Sequence, residues 1–215
     1  RTQVPDRWGR ITAITRNDGS SINQSWDALN RLTSRSSGGV TEYFGYDSGD
    51  FGMGRLTSLS DASGSSSFSY NGAGQITQQV NTILGQSFTT GWSYNAAGFL
   101  SSLSYPVGNL ALSYGYDSFG RVSSVVATLN GSSITLADSF VYQPGSAIPL
   151  AWRLGSNLQR RLVQDASGRL VQVGSPGVQQ LTLTWNADDT VASLTNSTTP
   201  SQSAAMGYDA ALRVS

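Results

Sequence analysis

A seven-residue phrase recurs along this chain and restricts the folds open to it. The phrase consists of an aromatic residue, Asp or Asn, two variable positions, Gly, a polar residue and an aliphatic residue. Its clearest copy is residues 116–122 (YDSFGRV), and copies or near copies begin at Trp26, Tyr70, Tyr94 and Tyr208. A unit that returns at a regular period predicts a repeat architecture.

The Asp or Asn of the phrase marks each repeat, and we refer to it as the anchor. Successive anchors are 20 to 26 residues apart, so the phrase persists while the spacing varies. This favours a turn of fixed geometry joined by loops of variable length. The anchors, of which Gln143 is degenerate, are Asp6, Asp27, Asp47, Asn71, Asn95, Asp117, Gln143, Asp165, Asn186 and Asp209.

The segment Asp-x-x-Gly within the phrase is typical of a tight turn. The Asp side chain can accept backbone N–H groups of the turn, and Gly tolerates the positive φ that closes it. A type I turn followed by a left-handed residue is a common hairpin connection with a bulge. In weaker copies Asn30, Asp189 and Leu212 take the Gly place. Asn and Asp can adopt the left-handed conformation, but Leu212 is not expected to, which leaves the last turn the least well supported.

Apolar and polar residues alternate in the segments that precede the anchors. Leu181, Leu183 and Trp185, for example, are separated by two threonines. A period of two is typical of a strand with one apolar face. A second turn signal, such as Asn130-Gly131, lies about half a period from each anchor and is typical of a hairpin. Each repeat is therefore expected to form two antiparallel strands.

These patterns predict an all-β fold, an elongated ribbon of antiparallel β-hairpins that forms a single domain over residues 1–215 with about ten repeats. Such a sheet must coil or pack on a partner to bury its row of rings. The structural anchor residues of the ribbon are expected to be Trp26, Asp27, Tyr46, Asp47, Tyr70, Asn71, Gly74, Tyr94, Asn95, Gly98, Tyr116, Asp117, Gly120, Arg121, Asp165, Gly168, Arg169, Trp185, Asn186, Tyr208 and Asp209.

Composition narrows the classes of partner. The 13 basic and 13 acidic residues give a net charge of zero, which disfavours nucleic acid and anionic membranes as partners. There is no Cys, so disulfides do not stabilise the fold. No apolar run approaches the roughly 18–20 residues that span a bilayer, so membrane insertion is not expected. The chain begins and stops inside the repeat pattern, and we expect it to be a fragment of a larger polypeptide.

The YDSFGRV copy at residues 116–122, with its imperfect copies along essentially the whole chain, resembles the YD repeats of the rearrangement-hotspot (Rhs) family. Insecticidal toxin complexes and teneurins share these repeats. The resemblance implies a β-ribbon, curved or spiralled, that is a fragment of a hollow shell. In polymorphic toxins such a shell encloses a toxic C-terminal polypeptide, whereas in teneurins a similar barrel serves cell-surface adhesion. The Asp-, Pro-, Gly- and Arg-rich core motif that follows the repeats in Rhs proteins has no match in this chain.

The side chains present disfavour an enzyme. Without His or Cys there is no Ser-His-Asp or Cys-His catalysis and no usual zinc site, and all 13 basic residues are Arg. No cofactor or metal is expected, since the anchors alternate Asp with Asn and lack clustered acids. The Gly-rich segment at residues 50–54 is interpreted as a stretched hairpin turn and not as a phosphate loop. A glycosidase-type carboxylate pair, such as Asp188 with Asp189 or Asp47 with Asp50, remains the enzymatic alternative.

Aromatic residues leave a binding alternative open. Most rings fit a core row, but Trp8 and Trp152 fall outside the strand alternation and are the candidates for exposed contact, for example with glycans. The pair Arg160 and Arg161 is interpreted as solvated. The Arg residues that follow the turns are expected to form a ladder, pairing with turn Asp residues or lining a cavity; they are Arg10, Arg31, Arg55, Arg121, Arg169 and Arg213.

From these observations and the resemblance we expect a non-enzymatic structural protein, secreted or on the surface of a bacterium. Its partners would be the neighbouring repeats and the enclosed C-terminal toxin of the parent polypeptide. An inner face of uncharged polar side chains would hold an unfolded cargo. The alternative is an extracellular adhesion or carbohydrate-binding module.

Overall fold

The structure is a computed structural model that describes residues 1–214. Apart from one short 3-10 helix, the regular elements are all β-strands. Contacts divide the chain into unit 1 (Arg1–Ala111) and unit 2 (Leu112–Ser215). Within the described part of the chain, no helix has the length and apolar character to cross a membrane. The expected all-β fold is confirmed, while the expectation of a single domain stays a prediction.

Unit 1 is a run of antiparallel strands, each of which pairs with the next along the chain. The strands are β1 (Thr2–Pro5), β2 (Ile11–Thr15), β3 (Ser21–Trp26), β4 (Leu32–Ser37), β5 (Val40–Tyr46), β6 (Leu56–Asp61), β7 (Gly64–Tyr70), β8 (Ile76–Ile83), β9 (Gln86–Tyr94) and β10 (Leu100–Ser104).

Unit 2 follows the same pattern from β12 to β19. Strand β11 (Ala111–Tyr116) begins at the last residue of unit 1. The remaining elements are β12 (Val122–Leu129), β13 (Ser132–Tyr142), β14 (Pro149–Leu154), β15 (Gln159–Gln164), β16 (Leu170–Ser175), β17 (Gln179–Trp185), β18 (Val191–Asn196), a 3-10 helix (Pro200–Gln202) and β19 (Ala204–Ala205).

The anchor turns have the predicted bulged geometry. In the copy at residues 117–121, the backbone N–H of Gly120 donates to the carbonyl of Asp117 at 3.0 Å, and the N–H of Asp117 donates to the carbonyl of Arg121 at 2.8 Å. Gly120 has a φ of 77°. Strand register shifts at the aromatic residue before several anchors, for example between Ser69 and Tyr70. The type I turn with a left-handed closing residue is therefore confirmed.

The last turn corrects one expectation. Leu212 adopts the left-handed conformation, with a φ of 58°, and its N–H donates to the carbonyl of Asp209 at 2.9 Å. This costs an L-residue on the order of 1–2 kcal/mol. The fold tolerates this cost because the side chain of Asp209 fixes the turn. It accepts hydrogen bonds from the backbone N–H groups of Ala211 and Arg213. The turn geometry thus outweighs the intrinsic preference of Leu.

The predicted alternation of faces is present in β3 and β7, whereas β12 and β16 show little alternation of burial. In β7, Phe68 and Tyr70 are half-buried, whereas Ser65, Ser67 and Ser69 are exposed. Among the described residues, Ala127 is the only buried apolar residue, at 9% exposure. Within the described residues, the apolar side chains of each unit are therefore mostly half-buried, and no interior core of the usual kind supports the turns.

Candidate functional site

The repeated turns are the most strongly bonded feature of the molecule. In the copy at residues 117–121, the Oδ1 atom of Asp117 accepts the backbone N–H groups of Phe119 and Arg121, both at 2.9 Å. Its Oδ2 atom accepts Nε of Arg121 at 2.8 Å. The hydrogen bond from the backbone N–H of Arg121 is the main reason why the pKa of Asp117 is lower than its ordinary value. One carboxylate thus closes the backbone turn and fixes the following Arg.

Four other turns repeat this arrangement of an Asp with the Arg four residues later. The pairs are Asp6 with Arg10, Asp27 with Arg31, Asp165 with Arg169, and Asp209 with Arg213.

The guanidinium of the turn Arg reaches the next anchor turn along the chain. Arg31 binds both carboxylate oxygens of Asp47, at 2.9 and 2.7 Å. These bonds lower the pKa of Asp47 to about 2. Arg169 donates to Asp189 at 2.7 Å, and Arg10 donates to the carbonyl of Asp27 at 2.7 Å. The expected pairing with turn Asp residues thus joins neighbouring turns at Arg31 and Arg169. Arg55 differs, because it donates to carbonyl groups of its own loop.

The turn anchored by Asn71 uses neutral groups in the same positions. Asn71 accepts the backbone N–H groups of Ala73 and Gln75, both at 3.0 Å. The side chain of Gln75 then donates to the carbonyl of Gly98 in the next turn at 2.8 Å. The link between neighbouring turns is thus preserved in a part of unit 1 where the charges are missing.

In seven repeats the ring before the anchor makes a second link, in the opposite direction along the chain. Tyr46 donates its hydroxyl to the carbonyl of Leu32, the first residue of β4, at 2.9 Å. The other bonds of this kind run from Trp26 to Ile11, Tyr70 to Leu56, Tyr94 to Ile76, Tyr142 to Val122, Trp185 to Leu170 and Tyr208 to Val191.

Each of these bonds ends on the first residue of the strand that follows the preceding anchor turn. Four of these rings, those of Tyr46, Tyr70, Tyr142 and Trp185, also lie against the guanidinium of that preceding turn. Its central carbon is 4.4 Å from the ring centroid in the pairs of Arg31 with Tyr46 and of Arg121 with Tyr142. A cation over an aromatic face is attractive. Ring and guanidinium together join successive hairpins by two independent contacts.

The two Trp residues singled out from the sequence differ in the structure. Trp8 is 62% exposed, and the guanidinium groups of Arg7 and Arg10 lie 3.8 and 4.6 Å from its ring centroid. Trp152 is half-buried in β14 and stacks on Phe140, with ring centroids 6.0 Å apart. The interpretation of Trp152 as an exposed contact was wrong, because it continues the row of rings.

Sequence reasoning missed two charge pairs. Arg153 binds both carboxylate oxygens of Asp138, at 2.7 Å each. Arg35 donates to Glu42 at 2.6 Å. Both pairs join residues that are directly opposite each other on neighbouring strands. Strand register would have revealed them, but the phrase does not extend to these positions.

Asp188, Asp189 and the Gly-rich segment take part in turns and loops of the sheet. Asp188 accepts the hydroxyl of Thr190 at 2.6 Å, while Asp189 binds Arg169 in the adjacent repeat. Residues 50–54 lie in the long loop between β5 and β6, where no helix begins, so their interpretation as a stretched turn is confirmed. Within residues 1–214, no group of three or more His, Cys, Asp or Glu side chains could hold a metal ion.

Comparisons with solved structures show the same fold. The crystal structure of TcdB2-TccC3-Cdc42 matches with a TM-score of 0.83 over 99% of this chain, at 15% identity. The crystal structure of TcdB2-TccC3 without hypervariable C-terminal region matches with a TM-score of 0.78 over 91% of this chain, at 17% identity. The chain spans only 12% and 11% of the length of those two chains.

A third solved structure, the Photorhabdus luminescens Tc holotoxin pore with the mutation TccC3-D651A, matches with a TM-score of 0.65. The identity is 16%, and the match covers 96% of this chain and 13% of that one. A search of curated proteins found no match.

Two family models match the sequence itself. The model described as RHS Repeat matches residues 6–41. The model described as Teneurin YD-shell matches residues 53–213, which is more than half of the chain. The linked turns described above lie in both matched segments. The chain therefore belongs to the teneurin YD-shell family.

Proposed function

We propose that this chain is a stretch of wall in a hollow shell, and that the shell encloses a toxic C-terminal polypeptide of a large secreted bacterial protein. Its role is containment and involves no catalysis. The observation that carries the proposal is the double link between successive hairpins, by the turn Arg and by the ring. Such a wall is held together without a second layer of structure.

The polar face of unit 1 supports a lining that tolerates many cargo sequences. Ser58 and Ser60 of β6 are directly opposite Ser67 and Ser65 of β7, and all four are exposed. Uncharged hydroxyl groups can donate or accept hydrogen bonds with any peptide backbone. They impose no charge pattern on a partner, so such a surface suits an unfolded polypeptide of unspecified sequence.

The solved structures that share the fold support the toxin context, since they are assemblies named as Tc toxin components, one of them studied without its hypervariable C-terminal region. The repeat family alone is compatible with adhesion as well. Enclosure is favoured here because the ring faces that a sugar would use are occupied by guanidinium groups, as in the pair of Arg169 with Trp185.

Limited proteolysis of the parent polypeptide tests the proposal. We expect the segment after the shell to resist a protease that readily cleaves the same segment expressed alone. The variant Asp27→Ala with Asp47→Ala, which removes two successive anchors, should open the wall and make the segment cleavable. The control is Asp50→Ala, which alters a carboxylate without a salt bridge in the described residues. Equal cleavage with and without the repeats would refute containment.

The Trp8 ring is 62% exposed although Arg7 and Arg10 lie against it, and this exposure is the observation that favours the adhesion or carbohydrate-binding alternative. Binding of this chain to an array of bacterial and host glycans tests it. Retention on a glycan that is lost in Trp8→Ala would support the alternative, and absence of retention would count against it.

A further inference from the structure

The tips of three successive anchor turns in unit 1 carry large apolar side chains that are more than half exposed. Trp8 is 62% exposed in the β1–β2 loop, and Leu29 is 70% exposed in the β3–β4 loop. Phe51 and Met53 are 58% and 76% exposed in the β5–β6 loop. We refer to these four side chains as the tip stripe. Contiguous exposed apolar patches on soluble proteins mark sites of interaction.

The members of the tip stripe follow one another on successive turns, and side chains at its two ends extend towards the neighbouring turns. Trp8 lines the same shallow concavity as Asp27 and Asn30 of the second turn. At the other end, a Cβ atom placed on Gly72 would lie 3.4 Å from the ring of Phe51, so this ring reaches the fourth turn. Trp8 and Phe51 thus each lie close to residues of the following turn.

The period of the stripe restricts what can cover it. Successive anchor turns are two strands apart, which is roughly 10 Å. Another edge built from the same hairpins has the same period, so its apolar side chains can meet this stripe along its whole length. A second copy of the chain supplies such an edge.

Charges at the two ends of the stripe set the orientation. Arg7 lies in the first turn and Asp50 in the third, and neither has a salt-bridge partner in the described residues. An antiparallel arrangement about a two-fold axis brings Arg7 of each copy opposite Asp50 of the other. Both contacts then form between identical surfaces of the two copies, as in any isologous interface.

We propose that two copies of this chain associate edge to edge through their tip stripes, antiparallel, with Arg7 paired to Asp50 in both directions. Eight side chains of this size bury on the order of 1,000 Å² in total, close to the lower limit for a specific interface. The association is accordingly weak and reversible. It does not depend on the containment role.

Within the described residues, no other three successive anchor turns carry large apolar side chains at their tips. At the opposite ends of the same hairpins, the loop at residues 17–20 and the loop at residues 61–64 carry only polar and small side chains. In unit 2, a large apolar side chain occupies the corresponding turn position only at Phe119, which is 80% exposed. The other positions are Gly145, Ser167, Asp188 and Ala211. Leu84, although 94% exposed, lies at the opposite end from the stripe and serves as a matched control.

Sedimentation velocity of the full chain, from about 1 to about 100 µM, tests the association. We expect a monomer–dimer equilibrium that shifts at least tenfold towards monomer in Trp8→Ser with Phe51→Ser. Leu84→Ser should leave the equilibrium unchanged. Circular dichroism confirms that the variants stay folded, since all of these side chains are exposed. A chain that remains monomeric throughout, or a dimer that only Leu84→Ser disrupts, would overturn the proposal and assign the stripe to a partner of another sequence.

A charge exchange tests the orientation separately. Arg7→Asp and Asp50→Arg should each weaken the dimer, because each places like charges opposite one another. The double variant restores opposite charges and should recover the wild-type equilibrium to within about threefold. Additive weakening in the double variant would exclude the antiparallel pairing.

Discussion

The guanidinium of Arg31 lies over the ring of Tyr46, with its central carbon 4.4 Å from the ring centroid. The same guanidinium binds Asp47, the residue next to that ring, and Asp27 in its own turn. One side chain therefore joins two carboxylates and an aromatic face from two successive hairpins. This grouping explains why the aromatic, acidic and basic residues of the phrase recur together.

Replacing Tyr46 by Phe removes the hydroxyl bond to the carbonyl of Leu32 and leaves the ring in place. We expect the free energy of unfolding to fall by about 0.5–1.5 kcal/mol, the usual net contribution of one hydrogen bond. Urea unfolding followed by circular dichroism measures it. Tyr43→Phe is the control, since Tyr43 is 57% exposed on the other face. A Tyr46→Phe variant as stable as the wild type would show that the hydroxyl bond contributes nothing to the link.

Replacing Asp47 by Asn tests the charged link as a function of pH. The hydrogen bonds from Arg31 lower the pKa of Asp47 to about 2 from its ordinary value of 3.8. The stabilisation is therefore fully present above pH 3.8 and is lost as the pH falls through 2. The urea midpoints of wild type and Asp47→Asn should differ most at neutral pH and converge near pH 2.

Asp50→Asn is the control for that series. Asp50 lies in the same loop but has no salt bridge in the described residues. Its midpoint should follow that of the wild type at every pH. A gap between wild type and Asp47→Asn that stays constant from pH 7 to pH 2 would contradict the assignment of the stabilisation to the Asp47 carboxylate.

Leu212→Asn should stabilise the last turn. Leu212 is held at a φ of 58°, a conformation that Asn adopts at lower cost. We expect a gain of about 1 kcal/mol, measured as a higher urea midpoint. The control is Leu29→Asn. Leu29 is also exposed, but it lies one residue before the left-handed position of its own turn and its φ is not positive, so this change should give no gain. Equal responses at the two positions would mean that backbone strain is not the cause.

Gly174→Ala should be strongly destabilising. A Cβ atom at residue 174 would collide with the carbonyl oxygen of Gln179 and lie 2.7 Å from Cα of Gln180, so backbone would have to move. We expect a loss of about 1–3 kcal/mol. At Gly45 the added atom meets the hydroxyl of Ser58, which can rotate away. Gly45→Ala should therefore cost less, and a reversed order of the two variants would refute this explanation.

The local repeat was predictable because its causes are local. Asp117 and Gly120 specify a turn through contacts within five residues, and the alternation that ends at Trp185 specifies a strand. The links between turns were less accessible. The hydroxyl bond from Tyr46 to Leu32 spans 14 residues and depends on strand register. The phrase indicated that rings and Arg residues recur, but not which backbone atom each would reach.

Two expectations were wrong because interactions with neighbouring residues outweighed a local preference or hid a local pattern. Leu212 adopts a conformation that Leu avoids because Asp209 fixes the turn around it. Trp152 was taken for an exposed ring because the register shifts between β13 and β14 disrupt the apparent alternation. The structure brings it onto Phe140. A pattern of period two loses its predictive value wherever a strand contains an extra residue.

Beyond its own turn, a linking Arg such as Arg31 or Arg169 contacts only the next hairpin, and a linking ring such as Tyr46 contacts only the preceding one. Cooperativity within a unit must therefore pass from neighbour to neighbour, as it does in linear repeat arrays. A stretch of such a protein can lengthen or shorten by whole hairpins, because an added module supplies one new Arg link and one new ring link and displaces none. The length of the sheet could then change through duplication of the gene segment that encodes one hairpin.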